Sequence, residues 1–283
     1  YKVDAVFDGE EFEISVYRNE FDIEKIPSKI FESGRFTIEP FRDEDFKKGV
    51  FKYRMSVSHL MNTTDAELIE EVKRIGPFMF HYIFMKMTLA KDDKEKFFFK
   101  EIGENRKQWI DLHGGIKIYR DNFMIRPYGD KTSNAYDWLG LDQRSAKSPA
   151  ALSHKSESWK VSNHQGQGTL FVSRVDNPNI LDKSSREGII ENETFSVLKK
   201  VIENILTFFE KDRAYIGRTF RLYWDELNEV EITKKQSKEI SKKQSKKKTI
   251  KLSIEEQETL VKAVEYFEQE KEELVDEIKL LRS

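Results

Sequence analysis

The chain has 283 residues, a net charge of −2 and no cysteine. At about 150 residues per domain, this length is typical of one large domain or two. Charged residues make up 35% of the chain, but 21 phenylalanines and 10 tyrosines exclude a wholly disordered protein. The lack of cysteine excludes a disulfide scaffold, a zinc site built on thiolates and a cysteine nucleophile. It fits a reducing compartment, and we expect a cytoplasmic protein.

The N-terminal region is rich in strand signals. Residues 3–7 and 12–17 are strand-rich runs on either side of Asp8-Gly9, which predicts a hairpin with a tight turn. Further strands are expected from Arg35 to Phe41 and from Val50 to Ser58. The strand pattern begins almost at the first residue, without a signal peptide or a start methionine. We therefore expect a fragment whose natural N-terminus lies upstream.

The next part of the chain alternates helix and strand signals. Thr64-Asp65-Ala66-Glu67 has capping-box spacing and predicts a helix that ends at Gly76-Pro77. Residues 78–89 are apolar and aromatic, which favours a strand. A short helix is predicted from Asn105 to Leu112, ended by Gly114-Gly115.

A second hairpin and a long loop follow. Asp121-Asn122 separates two strand-rich runs, 116–120 and 123–128. The polar stretch from Lys131 to Gly166 predicts a long loop, which we expect Trp138-Leu139-Gly140-Leu141 to anchor.

A strand, a connection and a long helix complete the globular part. The strand is predicted from Gly168 to Val175, and the connection from Asp176 to Ser185. From Glu193 to Arg213, apolar residues recur at three-, four- and seven-residue intervals, which predicts an amphipathic helix. Residues 1–213 therefore predict an α+β domain with a mixed sheet of six to eight strands and three packed helices.

The C-terminal part has a different composition. Gly217 to Glu231 predicts a helix or an extended arm that packs on the domain. The segment from Lys234 to Lys251 contains nine lysines and one glutamate, so it carries a charge of +8 and the rest of the chain −10. Ser253-Ile254-Glu255-Glu256 then predicts a helix start, followed by a heptad stripe that is typical of a coiled coil and runs to the chain end. The stripe consists of Leu260, Val264, Phe267, Lys271, Leu274, Ile278 and Leu281.

Common enzyme motifs are absent from the sequence. There is no Gly-x-x-x-x-Gly-Lys-Ser/Thr phosphate loop, no Gly-x-Gly-x-x-Gly, no Gly-x-Ser-x-Gly and no His-Glu-x-x-His. The five histidines are scattered, so we predict no metal site within this chain.

Arg186 follows a strand and precedes the long helix. An arginine near a helix N-terminus opposes the helix dipole, so helix stability alone does not favour it there. Its planar guanidinium suits phosphate oxygens, and the free amides of a helix start add donors. From the residues alone, an anion contact and a surface salt bridge both remain open.

Three stretches, in this order and spacing, point to a family. They are Ile-Lys-Ile-Tyr-Arg-Asp-Asn-Phe-Met-Ile at 116–125, Trp-Leu-Gly-Leu-Asp at 138–142 and Asn-Pro-Asn-Ile-Leu-Asp-Lys-Ser-Ser-Arg-Glu-Gly at 177–188. Together they resemble the transducer domain of the ATPase superfamily of gyrase B, heat-shock protein 90, histidine kinases and MutL. The resemblance is strongest for the branch of heat-shock-protein-90-like and Microrchidia-like proteins, and covers residues 105–213 best.

The resemblance implies a fold and a site. The fold would be a domain like the second domain of ribosomal protein S5. Arg186 would be the catalytic residue, reaching the γ-phosphate of ATP in a preceding domain and distinguishing ATP from ADP. Ser184 and Ser185 would shape and cap the nucleotide-binding loop, and Glu187 would orient Arg186 or lie in the first helical turn. Plain helix capping remains the alternative role for the serines and the glutamate.

The sequence departs from the family in one respect. The superfamily's ATP pocket uses Glu-x-x-x-Asn and Asp-x-Gly-x-Gly, and no Asp-x-Gly occurs in this chain. We therefore expect ATP and Mg²⁺ to be bound by a missing upstream domain, and this chain alone to be inactive. The expected partners are its own N-terminal ATP-binding domain and a second copy in a homodimer. No apolar run approaches the roughly 20 residues of a membrane helix, so no membrane partner is expected.

The lysine-rich segment has three interpretations. It is a solvated linker, it pairs with the acidic helix at 252–283, or it is an arm that contacts nucleic-acid phosphates. Because the segment contains no aromatic residue to stack on bases, nucleic-acid binding would show no sequence preference. The candidate contacts are Lys234, Lys235, Lys238, Lys242, Lys243, Lys246, Lys247 and Lys248.

The predicted organisation is a transducer domain at 1–215, a linking arm at 216–252 and a coiled coil starting at 253–283. Its role would be to couple ATP sensing to dimer and coiled-coil movement, in a process linked to DNA or to defence. Two alternatives stay open, a non-ATPase nucleic-acid-binding module with a basic arm and a structural coiled-coil oligomerisation protein.

Overall fold

The computed structural model describes residues 1–32, 50–90, 93–149, 151–156, 158–183, 188–229, 233 and 258–266. The chain divides into two compact units, residues 1–221 and 222–283. In the described part of the second unit, residues 258–266 are helical. The predicted strand at Arg35 to Phe41 and most of the predicted coiled coil lie outside the described residues.

The first unit is built on a mixed seven-stranded sheet. Its strands are β1 (Lys2–Phe7), β2 (Glu11–Tyr17), β3 (Val50–Ser56), β4 (Phe78–Phe84), β5 (Gly115–Arg120), β6 (Phe123–Ile125) and β7 (Gly166–Val172). Their order across the sheet is β3-β2-β1-β4-β7-β5-β6. Among the strand pairs of the described residues, β5 and β7 are parallel and the others are antiparallel. The predicted α+β class is therefore confirmed.

Helices connect the strands. They are α1 (Lys29–Glu32), α2 (Val57–Met61), α3 (Ala66–Lys73), α4 (Asp93–Phe97), α5 (Arg106–His113), α6 (Leu141–Ser145) and α7 (Glu193–Leu227). The predicted number of three is too low because four of these helices have only four or five residues, too few for a periodic pattern to develop.

The core lies between the sheet and α7. Phe209 of α7 is fully buried, and its ring lies 5.8 Å from the rings of Tyr82 and Phe84 on β4. At the start of the helix, Phe195 stacks on Trp138, whose Nε1 donates a hydrogen bond to the carbonyl of Ile116. The predicted anchoring of the long loop by its tryptophan segment is thus confirmed.

Both predicted hairpins form, because each turn contains residues that tolerate positive φ. Gly9 has a φ of 104°, and Asp121 and Asn122 have φ values of 49° and 70°. In the second hairpin, the strand predicted over 123–128 is shorter than expected, because β6 ends at Ile125.

Other boundaries were wrong as well. The strand predicted from Gly168 to Val175 spans Gly166–Val172, and the helix predicted to end at Arg213 continues to Leu227. The predicted strand from Val50 to Ser58 ends at Ser56, whose hydroxyl caps α2. The helix expected to be capped at Thr64 is capped by the Asp65 side chain, which accepts from the amide of Glu67. The strand expected over 78–89 ends at Phe84.

Candidate functional site

The connection between β7 and α7 is held to the turn that precedes β4. Asn177 is fully buried, and its Nδ2 donates to the carbonyls of Ile75 at 2.7 Å and Pro77 at 2.9 Å. Its Oδ1 accepts from the amide of Ser173 at 2.7 Å. The two backbone segments approach so closely that a Cβ at Gly76 would lie 2.0 Å from a carbonyl oxygen of the connection. One side chain therefore fixes the start of the connection.

A pair of asparagines fixes its other end. Asn179 donates from Nδ2 to the carbonyl of Arg74, next to the last turn of α3. Asn192 donates to the carbonyl of Asn179 at 2.8 Å and accepts, at its Oδ1, from the amide of Phe195 at 2.9 Å. Asn192 is thus the N-cap of α7, and it ties the helix start to the connection.

Between these anchors the chain forms a short two-stranded stem. The amide of Lys183 donates to the carbonyl of Gly188 at 3.0 Å, and the amide of Ile190 donates to the carbonyl of Leu181 at 2.7 Å. Gly188 has a φ of 104°, a conformation that favours glycine. Four residues, 184–187, join the two sides of the stem.

A buried arginine braces the stem from the sheet. Arg120, at the end of β5, is 5% exposed; it donates to Oδ1 of Asp182 at 2.7 Å and to the carbonyl of Ile180 at 2.5 Å. On the other side, the amide of Ile189 donates to the hydroxyl of Tyr128. Burial raises the pKa of Tyr128, so this hydroxyl stays protonated at neutral pH. The stem is therefore attached to β5 and to the segment after β6.

The charge around the stem is mixed. Arg174 is exposed and lies 3.6 Å from Asp182 and 3.8 Å from Asp121. A cavity of about 490 Å³ opens here, lined by Arg120, Arg174 and Asp182 together with the β6 side chains. Two guanidinium groups at the base of the stem favour an anion near it, and the two carboxylates balance them.

Helix α7 carries a group of buried charges in its second half. The Asp212 carboxylate accepts a hydrogen bond from Nε of Arg18 at 3.0 Å, and Nη2 of Arg18 contacts the other oxygen of the same carboxylate. Arg213 donates to both carboxylate oxygens of Glu20, at 2.7 and 3.0 Å. Breaking one partner of such a pair typically costs about 3–5 kcal/mol, because it leaves an uncompensated buried charge. These pairs hold the helix against the segment that follows β2.

A third buried charge holds the long loop. Glu210 is fully buried and accepts from Arg144 at 3.0 Å, Lys160 at 2.8 Å and the amide of Val161 at 3.1 Å. The loop between β6 and β7 is thereby fastened to the middle of α7.

The predicted site residues all lie outside the described part. Ser184, Ser185, Arg186 and Glu187 fall between Lys183 and Gly188 in the chain and are not among the described residues, and neither are the eight candidate lysines of the basic segment. Helix α7 begins at Glu193, six residues after Glu187 in the sequence. Asn177, Arg120 and Asp182 lie within the resembling stretches, but the sequence predicts no role for them.

Two further properties concern the described residues alone. They contain no group of three or more histidine, aspartate and glutamate side chains that could hold a metal ion. None of their helices has the length and apolar character required to cross a bilayer. Lys183 lies on the stem itself, and Arg120 and Arg174 lie at its base.

Neither a protein-family model, nor a curated protein, nor a solved structure matches this chain.

Proposed function

We propose that the first unit is a transducer domain of a heat-shock-protein-90-like ATPase, of the superfamily that includes gyrase B. Arg186, one of the four residues that join the two sides of the stem, contacts the terminal phosphate of an ATP molecule that another domain binds together with Mg²⁺. The contact neutralises the charge that develops on the phosphate during transfer, and it is lost when the product ADP remains.

The observation that carries this proposal is the bracing of the stem. Asn177, Asn192 and the Arg120–Asp182 pair fix its base by hydrogen bonds to three separate parts of the unit. A residue that stabilises a transition state has to be held in place before the reaction. A surface salt bridge needs no such support, so the bracing favours the anion-contact interpretation of Arg186.

We also propose that the unit couples ATP sensing to movement of a dimer or a coiled coil, and helix α7 supports this part of the proposal. Its N-cap is part of the connection that carries the stem, and the helix runs from Glu193 to Leu227 without interruption. At about 1.5 Å per residue, this helix is about 50 Å long. A displacement of the stem is therefore passed to the start of a long helix, as coupling to a dimer or coiled coil requires.

The test is ATP turnover of the natural full-length protein. Arg186→Ala is expected to lower kcat about 10²- to 10³-fold, as removal of one charge-stabilising group does elsewhere, with a smaller change in KM. Arg186→Lys should restore part of the rate, because it keeps the charge without the planar fork. Arg54→Ala, which removes an exposed arginine on β3, is the matched control.

Two results would contradict the proposal. One is a full-length protein that does not hydrolyse ATP in the presence of Mg²⁺. The other is an Arg186→Ala protein whose turnover equals that of Arg54→Ala.

A further inference from the structure

A groove opens at the end of the sheet where β1 and β7 end and β4 begins. It has a volume of about 610 Å³ and is lined by residues of the first unit only. Ligand sites in proteins typically measure about 300–1,000 Å³, so the groove is large enough for several side chains of a partner.

The floor of the groove is apolar. Val6 and Met79 pair across β1 and β4, and Met79 pairs with Phe171 on β7. Val6 is 42% exposed and Met79 46% exposed, although both lie within the sheet. Phe171 pairs in turn with Tyr119, and the two rings lie 5.6 Å apart. An apolar row thus crosses four neighbouring strands, and contiguous apolar surface of this kind marks interaction sites.

The rim of the groove is acidic. Asp8, Asp121 and Asp176 line it, and no lysine or arginine is among the described lining residues. Hydrogen bonds from the amides of Glu11 and Glu10 lower the pKa of Asp8, so it is ionised at neutral pH. Asp176 accepts a hydrogen bond from the hydroxyl of Ser173, and Asp121 accepts one from the amide of Arg174. The Arg174 guanidinium also lies 3.8 Å from Asp121 and offsets part of its charge, so Asp8 and Asp176 carry most of the negative charge of the rim.

The walls of the groove are fixed before any ligand arrives. The Asp8-Gly9 turn packs on Pro77, and the carbonyl of Pro77 accepts a hydrogen bond from Asn177. A preformed surface loses little conformational entropy on binding, which favours affinity.

We infer that this groove, formed by Val6, Met79, Phe171 and the three aspartates, docks a basic amphipathic peptide segment of a partner protein. Apolar side chains of the segment cover the row on the floor, and its lysines or arginines lie against the aspartates. The negative rim repels acidic segments and nucleic acid, which leaves a cationic peptide as the complementary partner. This inference does not depend on the role of Arg186.

The experiment uses the whole 283-residue chain and two fluorescein-labelled probes. One probe is a peptide that repeats Leu-Lys-Lys-Leu, and the other has glutamate in place of every lysine. Fluorescence anisotropy is recorded at low and at high salt, because a charged rim gives salt-sensitive binding. We expect the lysine peptide to bind at least tenfold more tightly than the glutamate peptide, with about a tenfold loss or more between low and high salt.

Two variants locate the binding surface. Met79→Lys places a cation on the floor and should weaken binding of the lysine peptide by about tenfold or more. Its matched control is Leu112→Lys, which changes another exposed apolar residue, on α5. The double variant Asp8→Asn with Asp176→Asn keeps oxygen acceptors for the local hydrogen bonds but removes two charges. It should weaken binding about three- to tenfold and flatten the salt dependence.

Several outcomes would overturn the inference. These are equal affinity for the two peptides, equal effects of Met79→Lys and Leu112→Lys, and no binding of the lysine peptide up to about 1 mM. If a second copy of this chain occupied the groove, sedimentation would show self-association that Met79→Lys abolishes. This result would also contradict the inference that a peptide of a partner protein binds there.

Discussion

Asn177 offers the sharpest test of how the stem is held. Replacing it with alanine removes three hydrogen bonds, to the carbonyls of Ile75 and Pro77 and from the amide of Ser173. A lost hydrogen bond typically costs about 1 kcal/mol, and a buried group left without a partner about 1–3 kcal/mol. One of the three bonds is buried and two are partly buried. We therefore expect Asn177→Ala to lower the free energy of unfolding by about 3–4 kcal/mol.

The measurement is urea denaturation of the chain. With a slope of about 2–3 kcal/mol/M, this loss lowers the urea midpoint by about 1–2 M. Asn177→Asp should be at least as harmful, because a carboxylate would face two carbonyl oxygens. Asn179→Ala is the control, since Asn179 is exposed and makes one such bond. A midpoint for Asn177→Ala within experimental error of the control would refute the reasoning, as would a tolerated Asn177→Asp.

Three further predictions concern the stability of the first unit, each followed by urea denaturation. Gly76→Ala should cost about 3 kcal/mol or more, because φ is +79° and the new Cβ would lie 2.0 Å from a backbone oxygen; Gly103→Ala, where nothing lies within 4 Å, should be neutral. Arg18→Met should cost about 3–5 kcal/mol by leaving Asp212 buried without its partner, and adding Asp212→Leu should recover part of the loss; a double variant as unstable as Arg18→Met would contradict this. Burial raises the pKa of Tyr53 from 10.0 to about 12, so its contribution is fully present below pH 10 and disappears as the pH rises through 12. Tyr53→Phe should therefore lose less stability between pH 10 and 12 than the natural chain, and an unchanged pH profile would argue against this assignment.

Local signals predicted the local structure well. Asp8-Gly9 and Asp121-Asn122 marked their hairpins because positive φ is a property of the turn residues themselves. The end of α7 was missed for the opposite reason. Its predicted end at Arg213 coincides with a group of charged residues that would face solvent in an ordinary amphipathic helix. In the fold, Asp212 and Arg213 are buried in ion pairs and the helix continues to Leu227.

The bracing of the stem could not be predicted from the chain order. Asn177 bonds to carbonyls about 100 residues earlier in the sequence, and Arg120 bonds to a residue 62 positions later. No local sequence pattern specifies such partners, since any asparagine or arginine in the chain could donate the same hydrogen bonds. The resemblance identified the stretch that carries the site, but its support became visible only in the assembled sheet.

The buried ion pairs of α7 have a consequence for biosynthesis. Arg18 and Glu20 emerge from the ribosome before their partners, which follow 194 and 193 residues later. At a translation rate of about 5–20 residues per second, Asp212 and Arg213 are synthesised roughly 10–40 s after Arg18 and Glu20. During that interval the N-terminal hairpin cannot bury them at low cost, so the unit completes its fold only after translation has passed α7. A nascent chain released before this point would expose its aromatic core residues and depend on chaperones.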